Sequence, residues 1–256
     1  MNARICFLNN AFNQETERTE AVPIPGAIVS PEATAMTTLS VNGHGPVTCK
    51  RVMLALIRRE VRDERAAAAM DRVPRERFLP AAWRHAAYSD NALPIGHEQT
   101  ISQPLIVAMM TSLLDLRPTD KVLEIGTGCG YQAAVLAELA ARVVTVEIVP
   151  ELARAAEATL GELGYGGRVS VRLAADGLGW LAEAPYDAIL VTAAAPKVPG
   201  SLLAQLAVNG RLVLPVGARD EQELVKVFNT ADGVLITRHG GCRFVPLLGP
   251  DGWLTS

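Results

Sequence analysis

No apolar run in this sequence approaches the length of a membrane-spanning helix. At its start, Arg4 is followed only by Ile5, Cys6, Phe7 and Leu8 before Asn9 and Asn10, too short a stretch for the apolar core of a signal peptide. Neither charge is in surplus. The 24 Lys and Arg against 27 Asp and Glu give a net charge of -3, which argues against a general nucleic-acid binder. Cysteine is scarce: Cys6, Cys49, Cys129 and Cys242 are scattered, with no C-x-x-C pair. That pattern fits reduced thiols in a cytoplasmic protein and gives no metal signature. There is no internal repeat and no evident Cys–His or Ser–His–Asp set. The expectation is a cytoplasmic protein with no membrane or nucleic-acid partner and no metal.

What is present is a core. Of 256 residues, 49% are apolar, ample for one α/β domain and some extra chain. Residues 1–49 look unlike the rest. Pro23, Pro25, Gly26, Pro31, Gly43, Gly45 and Pro46 punctuate a polar stretch without sustained period, read as a flexible N-terminal extension. Residues 50–256 read as a single domain.

That domain is organised around Val122-Leu123-Glu124-Ile125-Gly126-Thr127-Gly128-Cys129-Gly130-Tyr131. An apolar run stops at three glycines spaced G-x-G-x-G, and an alanine-rich helical pattern follows. Strand, glycine turn and helix form the first unit of a nucleotide-binding sheet. Glycine permits positive φ and, without a Cβ, lets a ligand lie against the backbone. A dinucleotide fingerprint would place its third glycine one residue later. The tighter spacing, preceded by the acid Glu124, resembles the first motif of Rossmann-like methyltransferases, which hold S-adenosyl-L-methionine. A second apolar run ends in Glu147, roughly 20 residues past Gly126, where an acid suits hydrogen bonds to ribose hydroxyls.

Before the sheet the pattern is helical. Met53, Ile57 and Val61 share a face from Lys50 onward, and a second helix covers residues 64–70. Val73-Pro74-Arg75-Glu76 reads as a turn into a short helix, and the arginines of this region read as a solvated face. Residues 88–104 form a long polar loop before a helix over 105–114, and loops of that length are disproportionately functional. Ser102 is also placed to cap that helix, with Pro104 in its first turn. His97 in the same loop reads as a surface residue rather than a base.

Parallel strands are expected at 121–125, 143–147, 169–173, 186–192 and 211–216, with helices between them. Further strands at 224–228, 234–237 and 242–245 follow without helices, so antiparallel pairing is expected at that edge. Asp176 and Gly177 follow the third strand, either as a plain turn or as partners of an adenine amino group. Thr192 and Ala193 follow the fourth, where small residues leave room for donor and acceptor to meet. Arg243-Phe244-Val245-Pro246-Leu247 is placed as an edge strand bordering the cleft.

Together these segments resemble the protein-L-isoaspartate O-methyltransferase family. The residues carrying the resemblance are Val73-Pro74-Arg75-Glu76-Arg77-Phe78, Ala92-Leu93-Pro94-Ile95-Gly96, Gln99-Thr100-Ile101-Ser102-Gln103-Pro104, the glycine motif, Pro185 to Ala194, Leu214-Pro215-Val216-Gly217 and Arg243 to Leu247. The T-I-S-Q-P and R-F-V-P-L segments are more specific than the glycine loop. The resemblance implies an α/β Rossmann-like methyltransferase fold: a mostly parallel, doubly wound sheet with an antiparallel edge and an N-terminal helical segment. It implies methyl transfer from S-adenosyl-L-methionine to the free carboxylate of L-isoaspartyl residues in damaged proteins and peptides, which starts repair through a succinimide. It implies Ser102 as the catalytic residue, Glu124, Gly126, Thr127, Gly128, Gly130, Glu147, Asp176 and Gly177 at the cofactor, and Thr100, Ile101, Thr192, Ala193 and Val245 with Ser102 at the substrate. Cys129 stands where the family often has serine, and Ala175 where it has glycine. The residues leave open a same-fold methyltransferase acting on a small molecule or RNA, and a non-catalytic cofactor-binding module.

Overall fold

The five apolar segments expected as parallel strands are the core of one seven-stranded sheet. The computed structural model describes residues 46–253 except 176 and 250. Residues 1–45 of the expected 1–49 extension and Asp176 therefore lie outside the described residues, while residues 46–49 of it are already helical. Helix α1 (Pro46–Glu60) and α2 (Glu64–Arg72) come first, then two 3-10 turns (Arg75–Phe78 and Ala81–Ala86). The expected long loop contains a small hairpin, β1 (Leu93–Gly96) with β2 (Gln99–Ile101), followed by α3 (Pro104–Leu114). The alternating part is β3 (Lys121–Ile125), α4 (Tyr131–Ala137), β4 (Arg142–Glu147), α5 (Pro150–Glu162), β5 (Val169–Leu173), β6 (Tyr186–Val191) and α6 (Gly200–Leu203). Strands β7 (Leu206–Gly217), β8 (Gln222–Thr230) and β9 (Gly233–Cys242) close the sheet.

The order is β5-β4-β3-β6-β7-β8-β9. The first five strands pair in parallel and the last two antiparallel. Strand alternation sorts the apolar side chains into two cores. Val122, Val143, Ala188 and Val213 face one layer with residues of α1 to α5. Leu123, Val144, Ile189 and Leu212 face the other with Leu202, Leu206 and Trp180. That second layer is thin, built from a 3-10 turn (Leu181–Glu183), the four-residue α6 and loops.

One expected strand does not form. Cys242 ends β9, and residues 243–247 leave the sheet to run beside the loop after β6. Ala194 N donates to Val245 O at 2.8 Å, and Leu247 N to Ala194 O at 2.7 Å. Pro246, which has no N–H, sits between these two bonds and could not have continued a ladder.

Helix α3 is anchored at both ends by polar side chains from outside it. Its first turn has no side-chain cap from the N-cap residue, which is Gln103 rather than Ser102. Asp90 performs that task instead: its Oδ1 accepts from Leu105 N at 2.9 Å and its Oδ2 from Gln103 Nε2 at 2.8 Å. A carboxylate there also suits the positive end of the helix dipole. At the other end Arg211, on β7, gathers the orphan carbonyls. Nε donates to Leu114 O and Nη2 to Asp115 O, both at 2.8 Å, while Nη2 also meets Asp120 Oδ2 at 2.5 Å. Both side chains of that ion pair are buried.

Breaking a buried pair leaves one charge uncompensated, which typically costs about 3–5 kcal/mol. Asp120→Asn is therefore expected to lower unfolding free energy by about 3 kcal/mol in urea titrations. A change below about 0.5 kcal/mol would mean that the Arg211 charge is satisfied by carbonyls alone.

Candidate active site

A cleft with a cavity of about 310 Å³ opens at the carboxyl ends of β3, β4 and β6. This is where an open parallel sheet binds ligands. The glycine loop forms its floor. Gly126, Gly128 and Gly130 have φ of 93°, 52° and 90°, conformations that favour glycine. At Gly126 a Cβ would overlap the Thr192 hydroxyl. That hydroxyl donates to Ile125 O (3.0 Å) and Gly126 O (2.8 Å), so β6 is drawn tightly against the turn after β3.

Gly126, Thr127 and Gly128 line the cleft, as do Glu147 and Gly177. Gly130 does not. It starts α4, and a Cβ on it would press on Leu160 and Ala156 of α5, so its absence of side chain serves packing. Glu124 does not line the cleft either. It is fully buried beneath the loop, where Thr145 Oγ1 donates to its Oε2 at 2.5 Å and itself stands 2.7 Å from Thr127 Oγ1. Its Oε1 has no partner, and burial pushes its pKa up to about 8. Glu124 is thus a brace under Thr127 and not a wall of the cleft. Alternation along β3 turns it toward the helical layer.

Glu147 ends β4 and is held by backbone donors. Its Oε1 accepts from Ile148 N (2.9 Å) and Val149 N (3.0 Å), its Oε2 from Gly128 N (2.7 Å). A carboxylate offers about four lone-pair positions. Three are used, and the fourth belongs to the oxygen beside the glycine loop.

On the facing side the cleft brings together Thr100, Ile101 and Ser102 from the end of the hairpin, Thr192 and Ala193 after β6, and Val245 from the segment that left the sheet. With the cap supplied by Asp90, no hydrogen bond engages the Ser102 hydroxyl among the described residues, while its carbonyl accepts from Arg75. His97 is exposed at the hairpin tip and does not line the cleft. Cys129 does line it, but burial pushes its thiol up to about 11, so it is a neutral packing group near pH 7.

Several wall residues carry little signal in the sequence. Tyr131 and Gln132 open α4 and line the cleft. Gln132 Nε2 bonds Thr111 Oγ1 at 3.0 Å, joining α4 to α3. A polar residue in an otherwise apolar helix start was the available hint. Asp251 and Gly252 come from the far C-terminal turn, with Asp251 Oδ2 accepting from Ser201 Oγ at 2.5 Å; nothing in their spacing marks them. The arginine-rich region is partly as expected, since Arg58 and Arg59 are exposed on α1, but Arg75 is wholly buried.

Residues 48–251 match the family described as protein-L-isoaspartate(D-aspartate) O-methyltransferase. A relative in Syntrophobacter fumaroxidans, protein-L-isoaspartate O-methyltransferase 1, is 54% identical over 204 residues, covering 80% of this chain and 95% of its own. Another, protein-L-isoaspartate O-methyltransferase of Geobacter metallireducens, is 52% identical over 208 residues, covering 81% and 96%. A solved structure of a protein-L-isoaspartate O-methyltransferase superposes with a TM-score of 0.70 at 26% identity, covering 79% of this chain and 67% of that one.

The buried Glu124 carboxyl makes a pH prediction. Its folded pKa, about 8, lies above the ordinary carboxylate range, so folding retains a proton that the unfolded chain releases. Below the unfolded value the group's contribution is complete. As pH rises through that value and on through 8, stability is lost. Glu124→Gln, which cannot ionise, should flatten this decline and at pH about 9 be more stable than wild type by upwards of about 1 kcal/mol. Urea titrations at several pH values check it, and parallel curves for the two proteins would show that the carboxyl is ionised in the folded state.

Proposed function

This chain belongs to the protein-L-isoaspartate(D-aspartate) O-methyltransferase family, and on that premise we infer how its cleft carries out the family's reaction. The enzyme transfers a methyl group from S-adenosyl-L-methionine to the free carboxylate of L-isoaspartyl residues in proteins and peptides. The observation that carries the site reading is the meeting of Ser102, with its hydroxyl unengaged, and the glycine loop in one cleft.

The cleft fits the cofactor. The backbone from Gly126 to Gly128 is bare of Cβ atoms at both glycines, so a ligand can lie against it, and its N–H groups are held by Val146 O and Glu147 Oε2, which fixes the loop's shape. Glu147 keeps one lone-pair position for a ribose hydroxyl, and its three backbone bonds fix the carboxylate without a search among rotamers. Ile148, more than half exposed at the cleft edge, offers an apolar surface beside that position. When bound, the cofactor supplies a methyl group activated on a sulfonium.

The acceptor carboxylate is ionised near pH 7, with an unperturbed pKa of about 4. No general base is required of the protein. Its task is alignment and exclusion of water. We read Ser102 as the group that hydrogen-bonds the carboxylate and sets its angle, with Thr100 and Ile101 behind it. Thr192 and Ala193 form the narrow passage where the two reactants meet, and Val245 closes the apolar side. Holding reactants in line can contribute about 7–11 kcal/mol in favourable cases. The methyl ester so formed initiates repair through a succinimide.

We take residues 50–256 as the methyltransferase domain and the preceding residues as an extension to it; the span of the family match, 48–251, supports this. A cytoplasmic setting is supported by the free thiols of Cys129 and Cys242, and no described helix is long and apolar enough to cross a membrane. The acceptor is a protein or peptide rather than a nucleic acid, supported by the absence of a basic surplus.

Two outcomes are expected. Ser102→Ala should lower turnover on an isoaspartyl peptide by at least about tenfold, while S-adenosylhomocysteine affinity in calorimetry is retained. Unchanged turnover would remove Ser102 from the reaction. Glu147→Ala should weaken cofactor binding by about 1.5–3 kcal/mol, read by the same calorimetry. Equal methylation of isoaspartyl and normal aspartyl peptides would overturn the substrate assignment.

A further inference from the structure

Arg75 is an ionic side chain in an apolar place. It is fully buried at the start of the 3-10 turn that packs Phe78 into the core. Its Nε donates to Ala87 O and its Nη2 to Ser102 O, each at 2.7 Å. Its guanidinium carbon stands 4.8 Å from the centroid of the Tyr131 ring, which also meets the Phe78 ring at a steep angle. Its Nη1 has no hydrogen-bond partner, and neither has the Tyr131 hydroxyl. Among the described residues no carboxylate forms an ion pair with it. The acid whose charge it feels, Asp90, is taken up by Gln103 and Leu105.

Desolvating a guanidinium costs several kcal/mol, and a hydrophobic residue of similar volume would pack the same space at no such cost. Packing therefore does not account for it. Its contacts do. Ser102 belongs to the acceptor side of the cleft, and Tyr131 is the first residue of the helix that grows from the glycine loop on the donor side. Arg75 holds the backbone of the one and stacks on the ring of the other. The charge it carries is positive, and the group expected at Ser102 is a carboxylate.

We propose that Arg75 is a positioning residue for methyl transfer: it fixes the Ser102 backbone against the Tyr131 end of the glycine loop, and its positive charge favours the substrate carboxylate at Ser102. This rests on the isoaspartyl reading and on the role of Ser102. Two functions in one side chain separate in substitution. Lysine keeps the charge but loses the planar fork that reaches two carbonyls while stacking on a ring. Methionine loses both.

The test measures kcat and KM for an isoaspartyl peptide and S-adenosylhomocysteine affinity by calorimetry, in wild type, Arg75→Lys and Arg75→Met, with active sites counted by binding stoichiometry. Both variants should bind S-adenosylhomocysteine within about twofold of wild type and lose kcat by about tenfold or more, since small misplacement of reacting groups is that costly. KM should rise several-fold in Arg75→Met and stay near wild type in Arg75→Lys. A scaffold residue would not produce that split, because it would move binding and turnover together. Retention of wild-type kcat in Arg75→Lys overturns the positioning role, and this arm decides alone if Arg75→Met does not fold. Parallel loss of cofactor affinity and turnover in both variants overturns it too. A wild type inactive on the peptide sinks the functional reading itself. An active wild type with an unaffected Ser102→Ala sinks the role of Ser102 and this proposal with it, but not the reaction.

Discussion

The approach of β6 to the turn after β3 is the constraint on which the site depends. The Thr192 hydroxyl reaches the carbonyls of Ile125 and Gly126, and it can do so only because residue 126 has no Cβ. The same approach fixes the floor of the cleft and one of its walls, since Thr192 and Gly126 both line it. A cleft built this way is shaped by backbone tied down at the ends of strands, which holds position better than side chains on mobile loops. The hairpin β1–β2 reaches the same loop, where Ile95 stands close enough to touch any side chain added at Gly128.

The buried side chains of Arg211, Glu124 and Arg75 are each accommodated differently. Arg211 is paired with Asp120 and serves helix α3. Glu124 is left half-satisfied, and burial raises its pKa toward the neutral form, the inexpensive way to keep a carboxyl under an apolar sheet. Arg75 has neither a paired carboxylate nor a ready neutral form. Buried charge without a partner is costly and tends to persist where function uses it. By that reasoning, of the three, Arg75 stands out as the functional group and the other two as structural ones, although the sequence motif drew attention to Glu124 and treated the arginines as a solvated face.

The centre of the sheet was legible because its strands are buried on both faces. Runs such as Val122-Leu123 and Val143-Val144 have no polar alternation to mislead, and glycine or proline marks their ends. What failed were features defined by tertiary partners. The hairpin inside residues 88–104 has strands of four and three residues, too short to show a period. The cap on α3 comes from Asp90, fifteen positions before its partner Leu105, a distance at which local capping rules are silent. Residues 243–247 had strand composition and became an irregular wall, because Ala194 offered the bonds a neighbouring strand would have given. Glu124 and Gly130 were recognisable as motif members, yet spacing alone could not say which side of the loop they face.

The cleft thus has two origins in the chain. Its donor half is one continuous stretch, β3 to the loop after β5, and a local motif betrays it. Its acceptor half is assembled from Thr100 to Ser102 ahead of the sheet, Thr192 and Ala193 after β6, and Val245 onward behind it, some 140 positions after the first piece. No local pattern can announce a surface made from such distant pieces, and only the fold brings them to the same opening. The link between the halves must therefore be a side chain that touches both. Arg75, on the carbonyl of Ser102 and the ring of Tyr131, meets that requirement. Its position before the hairpin means that the acceptor wall is held from the helical layer, independently of the cofactor, so the alignment of donor and acceptor exists before either ligand arrives. Preorganisation of this kind is what a reaction without a general base most needs, since geometry is then the main contribution the protein can make.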